Sequence, residues 1–402
     1  MSKSRTLYYI FVFFLLIFFW KTAEYWYSFT SSDEVASGSI MLYAALVMVE
    51  SVSLYLIEFS PKYRCQQSRI PQLCLIWEMV MLVVLLFTRT PYSQWFKCMA
   101  WPLFFQASYL LIRSNVGLVK SLRKVFYVLT LMGTIYFVLS LLYQDLESQT
   151  NMVYFCLLTF PVLLLTPKKR QRYLLLIFST FAAFISMKRS MILAFVLFWG
   201  LVEVKYMLGK GRKGLAVVVT AVMVIAMYGS FSVADDLTGG HLSERLSGED
   251  ARDGDITNGR EGIYLVTIEM IKQSSLVHII LGNGHNGVRR DSPLEISAHN
   301  EFLEIIYDYG IIILMVYLGL WVYVLREWYF HYRNNTIFFL PYTMSVSIFA
   351  VMAMVSQLVL YCSYFLYLVI FWGIVAALKD SHASQLIVPK EGVITKKKSN
   401  QK

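Results

Sequence analysis

Residues 303–325 read LEIIYDYGIIILMVYLGLWVYVL, an apolar run of the length that a helix needs to cross the hydrocarbon core of a bilayer. The whole chain shares this character, because 57% of its 402 residues are hydrophobic and only 15% are charged. Such a composition lies outside the range of soluble globular domains. The sequence therefore predicts an all-α, polytopic membrane helix bundle.

Twelve apolar runs are suited to cross the bilayer as helices, although several are shorter than the usual span of about twenty residues. Besides 303–325 they are 7–20, 40–59, 73–88, 93–112, 125–143, 152–166, 173–187, 190–207, 215–231, 337–356 and 359–378. They divide the chain into helices 1–9 (residues 1–231), a large loop (232–299), helices 10–12 (300–378) and a basic tail (379–402).

The distribution of basic residues predicts the orientation of these helices. Most of the 36 Lys and Arg residues fall on one face when the connections are assigned alternately, and the positive-inside rule makes that face cytoplasmic. Both termini are then cytoplasmic and the loop 232–299 lies outside. We expect the tail 379–402 to contact anionic membrane lipids. The net charge of +10 is too scattered to indicate nucleic-acid binding.

Two classes of site are excluded by the connections and the cysteines. No cytoplasmic connection is long enough for a nucleotide-binding domain, which excludes ATP-driven transport by this chain alone. The outer loop contains no cysteine, so it offers neither a disulfide framework nor a Cys-based zinc site. His241 and His285 do not match any known metal-ligand spacing with the nearby acidic residues. We therefore predict no metal and no cofactor.

The second half of the outer loop has the features of a structured segment. Residues 260–274 (REGIYLVTIEMIKQS) carry apolar side chains at helical spacing, which predicts an amphipathic helix. Residues 281–287 (LGNGHNG) follow, and their glycines permit tight turns and a close approach of the backbone to a ligand. The first part of the loop, 232–258, is rich in Gly, Asp and Ser and reads as mobile.

The entrance to the tenth helix combines a histidine with three acidic residues. A helix here would place Glu301, Glu304 and Asp308 on one stripe, with His299 at its start near the membrane surface. We interpret the stripe as a solvated face. Alternatively, Glu301 or Glu304 orients His299 or binds sugar hydroxyls. His299 itself is either a proton acceptor or a residue that contacts the helix end or lipid headgroups.

Several cations on the outer face are candidates for binding phosphate. Lys188 and Arg189 stand in the short connection 186–190, on the face that the positive-inside rule depletes, so we expect a negatively charged partner. An arginine binds phosphate oxygens bidentately, which suits a lipid diphosphate. Three of the five arginines in the loop are further candidates, and these are Arg260, Arg289 and Arg290. The simpler interpretations are an interfacial anchor for Arg189, a position at a loop–helix boundary for Arg260, and a lipid contact for Arg289 and Arg290.

Together these motifs resemble the O-antigen polymerase and O-antigen ligase superfamily of bacterial envelope glycosyltransferases. The resemblance covers about residues 186–321 and rests on the large outer loop between late helices and on the order of its short motifs. These motifs are 187–191 (MKRSM), 259–264 (GREGIY), 282–284 (GNG), 298–300 (AHN) and 309–310 (YG). Tyr264 stands where the family has a tryptophan.

The resemblance implies a GT-C-like glycosyltransferase of the bacterial cytoplasmic membrane. Such an enzyme transfers glycan from undecaprenyl diphosphate to a hydroxyl of an acceptor glycan at the outer leaflet, without a metal. It implies that Arg189 and Arg260 hold the diphosphate and that His299 activates the acceptor. Our first hypothesis is a repeat-unit polymerase for capsule, O-antigen of lipopolysaccharide or another polysaccharide. The alternatives are an O-antigen ligase and a non-enzymatic flippase or transporter. A chain-length regulator and a flippase are candidate partners.

Overall fold

The computed structural model describes residues 3–28, 70–88, 90–143, 152–185, 189–208, 260–356, 358–359 and 362–381. Within these ranges the chain is entirely helical, with thirteen helices and no strand. The helices are α1 (Lys3–Ser28), α2 (Ile70–Phe87), α3 (Tyr92–Ser114), α4 (Leu118–Tyr143), α5 (Met152–Leu163), α6 (Lys169–Ile185), α7 (Arg189–Leu208), α8 (Arg260–Gln273), α9 (Leu276–Leu281), α10 (Gly287–Asp291), α11 (Glu301–Arg333), α12 (Phe339–Val355) and α13 (Cys362–Asp380).

The all-α prediction is confirmed for the described residues, and ten of the twelve apolar runs coincide with helices there. The runs 40–59 and 215–231, the loop residues 232–259 and the tail from 382 onward lie outside the described ranges. By length and composition, two described helices can cross a membrane, within Ser190–Met207 and Glu301–Arg333. The number of spans and the GT-C-like architecture stay predictions.

Helix α13 forms the centre of the bundle. Its side chains from Phe365 to Leu378 are buried on every side, as expected for a helix that is apolar all round. It packs against α3 and α5, and an aromatic cluster extends this core to α11 and α12. In that cluster Trp321 stacks on Phe349 at a centroid distance of 4.4 Å, and Phe349 meets Trp372 at 5.2 Å.

Helices α7 and α12 pack along each other in antiparallel directions. The Nζ atom of Lys205, near the end of α7, donates to the carbonyl of Tyr332 at 2.9 Å and lies 3.6 Å from the ring centroid of Phe339, where α12 begins. Arg189 is sixteen residues before Lys205, about 24 Å away at the helical rise of about 1.5 Å per residue. The start of α7 is therefore level with the last turn of α12, near Val355.

Ion pairs join the helices at the end of the bundle where α13 finishes. The Nζ atom of Lys379 donates to both carboxylate oxygens of Glu327 at 2.8 Å, which ties α13 to α11. The hydroxyl of Tyr109 on α3 donates to Asp380 at 2.6 Å, and the Arg113 guanidinium lies 3.9 Å from the same carboxylate. We call this the tail end of the bundle. The opposite end, where α8–α10 pack on the first turns of α11, is the loop end.

Candidate functional site

A break in α11 organises the loop end. Gly310 has φ 78° and ψ 177°, a conformation outside the helical region, so the carbonyls of Tyr307 and Asp308 lose their ordinary partners four residues on. The loop after α9 replaces those partners. The backbone N–H of Asn283 donates to Tyr307 at 2.9 Å, and the N–H of Gly284 donates to Asp308 at 2.8 Å. Main-chain hydrogen bonds from this loop, residues 282–286, thus satisfy the carbonyls at the break. We call residues 282–286 the glycine loop.

Gly282 and Gly310 lie where the chain after α9 meets the break in α11, and we call this contact the glycine joint. Both residues have to be glycine, because the two backbones approach each other closely. A Cβ atom on Gly310 would lie 2.2 Å from the carbonyl oxygen of Ile280, and one on Gly282 would lie 2.2 Å from that of Asp308. Both glycines also have positive φ, at 78° and 81°, which disfavours any other residue. The sequence predicts that the glycines of residues 281–287, which include Gly282, allow a close approach to a ligand. In the structure Gly282 approaches the chain's own backbone.

The acidic stripe on α11 is buried, so the prediction of a solvated face was wrong. Glu301, Glu304 and Asp308 expose 0%, 1% and 1% of their surface. Each carboxylate accepts a hydrogen bond from a backbone N–H group that lies outside α11. The donors are Val359, Ala298 (2.7 Å) and Val288 (2.9 Å), respectively. The segment between α9 and α11 supplies two of these N–H groups, and the turn after α12 supplies the third. Buried N–H groups need acceptors, so the buried carboxylates are tolerated here.

His299 is held at the entrance of α11 by three helices. Its φ of 50° is left-handed, a conformation in which histidine is enriched among non-glycine residues. The hydroxyl of Tyr264 on α8 approaches the His299 carbonyl at 3.3 Å and the Met354 carbonyl, in the last turn of α12, at 3.0 Å. Asn300 caps α11 by accepting from the N–H groups of Phe302 and Leu303. The backbone of His299 is therefore fixed relative to α8, α11 and α12.

Burial favours the neutral form of the His299 imidazole. It lowers the pKa below the usual 6.5, and the positive charge of Arg260, the first residue of α8, lowers the pKa further. Arg260 therefore acts on His299 electrostatically, and both residues lie at the loop end. A proton acceptor combined with a cation is the arrangement needed for attack by a hydroxyl on a group that leaves as an anion.

The two neighbouring arginines in α10 differ in their surroundings. Arg290 forms a bidentate ion pair with Asp291, at 2.8 and 2.9 Å, and donates to the carbonyl of Asn283 at 3.0 Å. The hydrogen bond with Asp291 is the main reason that the pKa of Arg290 is raised. Arg290 therefore braces the glycine loop. Arg289 is exposed.

The central segment of the chain matches a known protein family. Residues 174–318 match the family model Wzy_C, described as O-Antigen ligase. This segment of the chain is similar to the O-antigen ligase family. The resemblance inferred from the motifs is thereby confirmed, and the matched segment includes Arg260, His299 and the Gly310 joint. No curated protein matched the chain significantly.

The family's description names an enzyme, an O-antigen ligase. Two of the described helices are long and apolar enough to span a bilayer.

The cations of the connection 186–190 are only partly described. Lys188 lies outside the described residues, and Arg189 is described only as the backbone start of α7. The register of α7 against α12 nevertheless puts that start at the loop end, level with Met354, whose carbonyl accepts the Tyr264 hydroxyl beside His299. The family segment therefore brings the starts of α7, α8 and α11 to one end of the bundle.

Sequence reasoning missed two features of this end. Asn300 is a helix cap, and an asparagine directly before an acidic first turn is a recognisable signal for one. The second feature is a contact cluster in which the hydroxyl of Tyr309 meets the Cys98 thiol at 3.2 Å and the His285 imidazole. It anchors the glycine loop to α3. No sequence spacing indicates it, since Cys98 and His285 are far apart in the chain.

Proposed function

We propose that this protein is a polysaccharide polymerase. It transfers a glycan from undecaprenyl diphosphate to a hydroxyl of a lipid-linked repeat unit at the outer leaflet, and it needs no metal. The observation that supports this most directly is His299 at the loop end, whose pKa is lowered by burial and by the charge of Arg260, in a segment that matches an O-antigen ligase family. In this proposal the loop end faces outward and both termini are cytoplasmic, as the positive-inside rule predicts.

In the proposed reaction His299 acts as the general base. Its imidazole takes the proton of the acceptor hydroxyl while the hydroxyl oxygen bonds to the anomeric carbon of the donor. The bond between that carbon and the phosphate oxygen breaks, and undecaprenyl diphosphate leaves with the electron pair. The proton remains on His299 until solvent removes it. A neutral imidazole is required at the start, and the lowered pKa of His299 provides one at pH 7.

The developing charge on the diphosphate is neutralised by arginines in this proposal. Arg260 begins α8 beside His299, and Arg189 begins α7 at the same end of the bundle. A fixed cation at the position where charge develops lowers the barrier more than a mobile one. Lys188 and Arg289 are further contacts to the diphosphate. Arg290 contributes by bracing the glycine loop through Asp291.

Glu301 and Glu304 serve to position His299. Glu304 accepts from the N–H of Ala298, the residue directly before His299, and Glu301 accepts from Val359 in the turn after α12. Both carboxylates are almost fully buried. Their burial favours this role over the alternative of binding sugar hydroxyls, which requires contact with a solvated substrate.

The alternative function is an O-antigen ligase, which the description of the family favours. We prefer the polymerase because a ligase needs a lipid A-core acceptor, and the sequence offers no recognisable signal for one. A chain-length regulator and a flippase are the protein partners expected of a polymerase, whether the product is capsule, O-antigen or another polysaccharide.

The test replaces Arg189, Arg260 and His299 singly by alanine and compares glycan length in cells at equal protein level. Lys272→Ala and His278→Ala are matched controls, because both residues are exposed and belong to the same loop segment. Loss of polymer with accumulation of a one-repeat product supports the polymerase. Intact polymer that is not attached to its anchor supports the ligase instead. Normal long chains in all three variants would refute the catalytic assignment.

A further inference from the structure

The short helix α9 presents an apolar face that the described part of the protein does not cover. Leu276, Val277 and Ile280 expose 71%, 50% and 37% of their surface, and none of the six residues of α9 is buried. At 100° per residue these three side chains lie within one arc of the helix, while His278 lies roughly opposite. We call this set of three side chains the α9 face. Exposed apolar residues arranged this way on a loop indicate an interaction surface.

The position of α9 relative to two apolar helices indicates what the face contacts. The carbonyl of Ile280 touches Gly310, the residue at which the long apolar part of α11 begins. Directly afterwards, Ile311 and Ile312 each expose 37% of their surface. The end of α9 is therefore level with the point where α11 first presents apolar side chains to its surroundings.

Helix α2 ends at the same level of the bundle, as an independent contact shows. The position of a Cβ on Gly284, three residues after α9, is 3.3 Å from the Thr88 side chain. Thr88 directly follows α2, whose last residues Leu86 and Phe87 expose 56% and 46% of their surface. The exposed apolar side chains of α2, α9 and α11 thus lie at the same level along the bundle. In a protein that spans the membrane, α2 and α11 meet lipid there.

We infer that the α9 face is immersed in the outer leaflet and contacts the hydrocarbon chains of membrane phospholipids. The helix then lies in the plane of the interface, as short amphipathic segments do when they bury one face beneath the headgroups. His278 points away from the acyl region, and its ring bonds to the Ser275 hydroxyl at 2.9 Å. The glycine joint connects this interfacial helix to α11. The depth of α9 in the membrane therefore also determines the depth of His299 at the start of α11. The inference rests on the proposed membrane placement.

Cysteine accessibility in native membranes tests the inference. Val277→Cys is compared with the adjacent His278→Cys, which serves as a water-facing control, and with Phe87→Cys, which serves as a lipid-facing reference. A membrane-impermeant maleimide should label Val277→Cys and Phe87→Cys on the order of tenfold more slowly than His278→Cys, because their thiols lie below the headgroups. The wild-type chain gives the background of the native cysteines. A fluorophore placed at either slow position should be quenched by phospholipids that carry a spin label on the acyl chain.

The outcomes separate this inference from the proposed function. If Phe87→Cys reacts as fast as His278→Cys, the membrane placement fails and the proposed function fails with it. If Phe87→Cys is slow but Val277→Cys is fast, only the inference about α9 is overturned. If Val277→Cys is slow but its fluorophore is not quenched by the labelled lipid, protein from this chain or from another covers the face, and the inference is again overturned. Slow labelling together with quenching supports it.

Discussion

Replacing Gly310 by alanine should strongly destabilise the loop end of the bundle. The new Cβ would lie 2.2 Å from the carbonyl oxygen of Ile280 and 2.4 Å from its carbon. Ordinary contacts between such atoms are about 3.5 Å, so one backbone has to move by more than about 1 Å. The conformation itself, with φ 78° and ψ 177°, is essentially restricted to glycine.

The loss of stability expected for Gly310→Ala has two sources, which are backbone strain and broken hydrogen bonds. Backbone strain at such a conformation costs about 2 kcal/mol for a residue with a side chain. A shift of the backbone also breaks the hydrogen bonds from Asn283 and Gly284 to the broken helix, each of which contributes about 1 kcal/mol. The total loss of about 4 kcal/mol is a large share of the stability of about 5–15 kcal/mol that proteins usually have.

The assay is thermal unfolding of the purified protein in detergent, followed by tryptophan fluorescence. Gly262→Ala is the matched control, because Gly262 lies inside α8 with no heavy atom within 4 Å of the added Cβ. A helical glycine replaced by alanine gains up to about 1 kcal/mol, so this variant should melt at or above the wild-type temperature. Gly310→Ala should melt several degrees lower. Equal melting temperatures for the two variants would refute the account of the joint.

Three further predictions concern the site. Arg260→Gln should raise the pKa of His299 toward 6.5, since the cation that lowers it is gone. The base works only when neutral, so the acidic limb of the pH–rate profile should move to higher pH; an unmoved limb would contradict the pairing. Tyr264→Phe should cost about 1 kcal/mol of stability and reduce turnover several-fold, because its hydroxyl no longer fixes the site; unchanged turnover at the same melting temperature would argue against positioning. Asp308→Ala should destabilise by about 1–3 kcal/mol by leaving the Val288 N–H unpaired, whereas Asp308→Asn keeps an acceptor and should cost less; calorimetry of both variants checks the order.

The helices of this protein could largely be predicted, because a helix is the structure in which an apolar run of about twenty residues crosses a bilayer with its backbone hydrogen bonds satisfied. The C-terminal end of α11 could not be predicted. The apolar run was predicted to stop at residue 325, yet the helix continues to Arg333. Its last turns are polar enough to resemble a connection, but Glu327 is neutralised by Lys379 on another helix. A pattern within one segment cannot show a partner that lies about fifty residues further along the chain.

The site was predictable where it depends on local sequence. His299 at a helix entrance and an amphipathic helix from Arg260 both follow from spacing, and the structure confirms them. The burial of Glu304 and Asp308 was not predictable. An acidic residue is normally solvated, and only the folded path of residues 286–298 reveals N–H groups that need an acceptor. The break at Gly310 could not be predicted either, since a single glycine in a helical pattern does not indicate a break.

The joint between residues 282–284 and 307–310 has a practical consequence for engineering. Its contacts are made by main-chain atoms that approach too closely for any side chain at Gly282 or Gly310. A chimera that exchanges only residues 260–300 with a related protein would combine the two sides of this contact from different proteins. An exchange of 260–310 transfers both sides together with His299 and the buried carboxylates. The joint therefore defines the smallest segment here that can be exchanged without separating backbones that are fitted to each other.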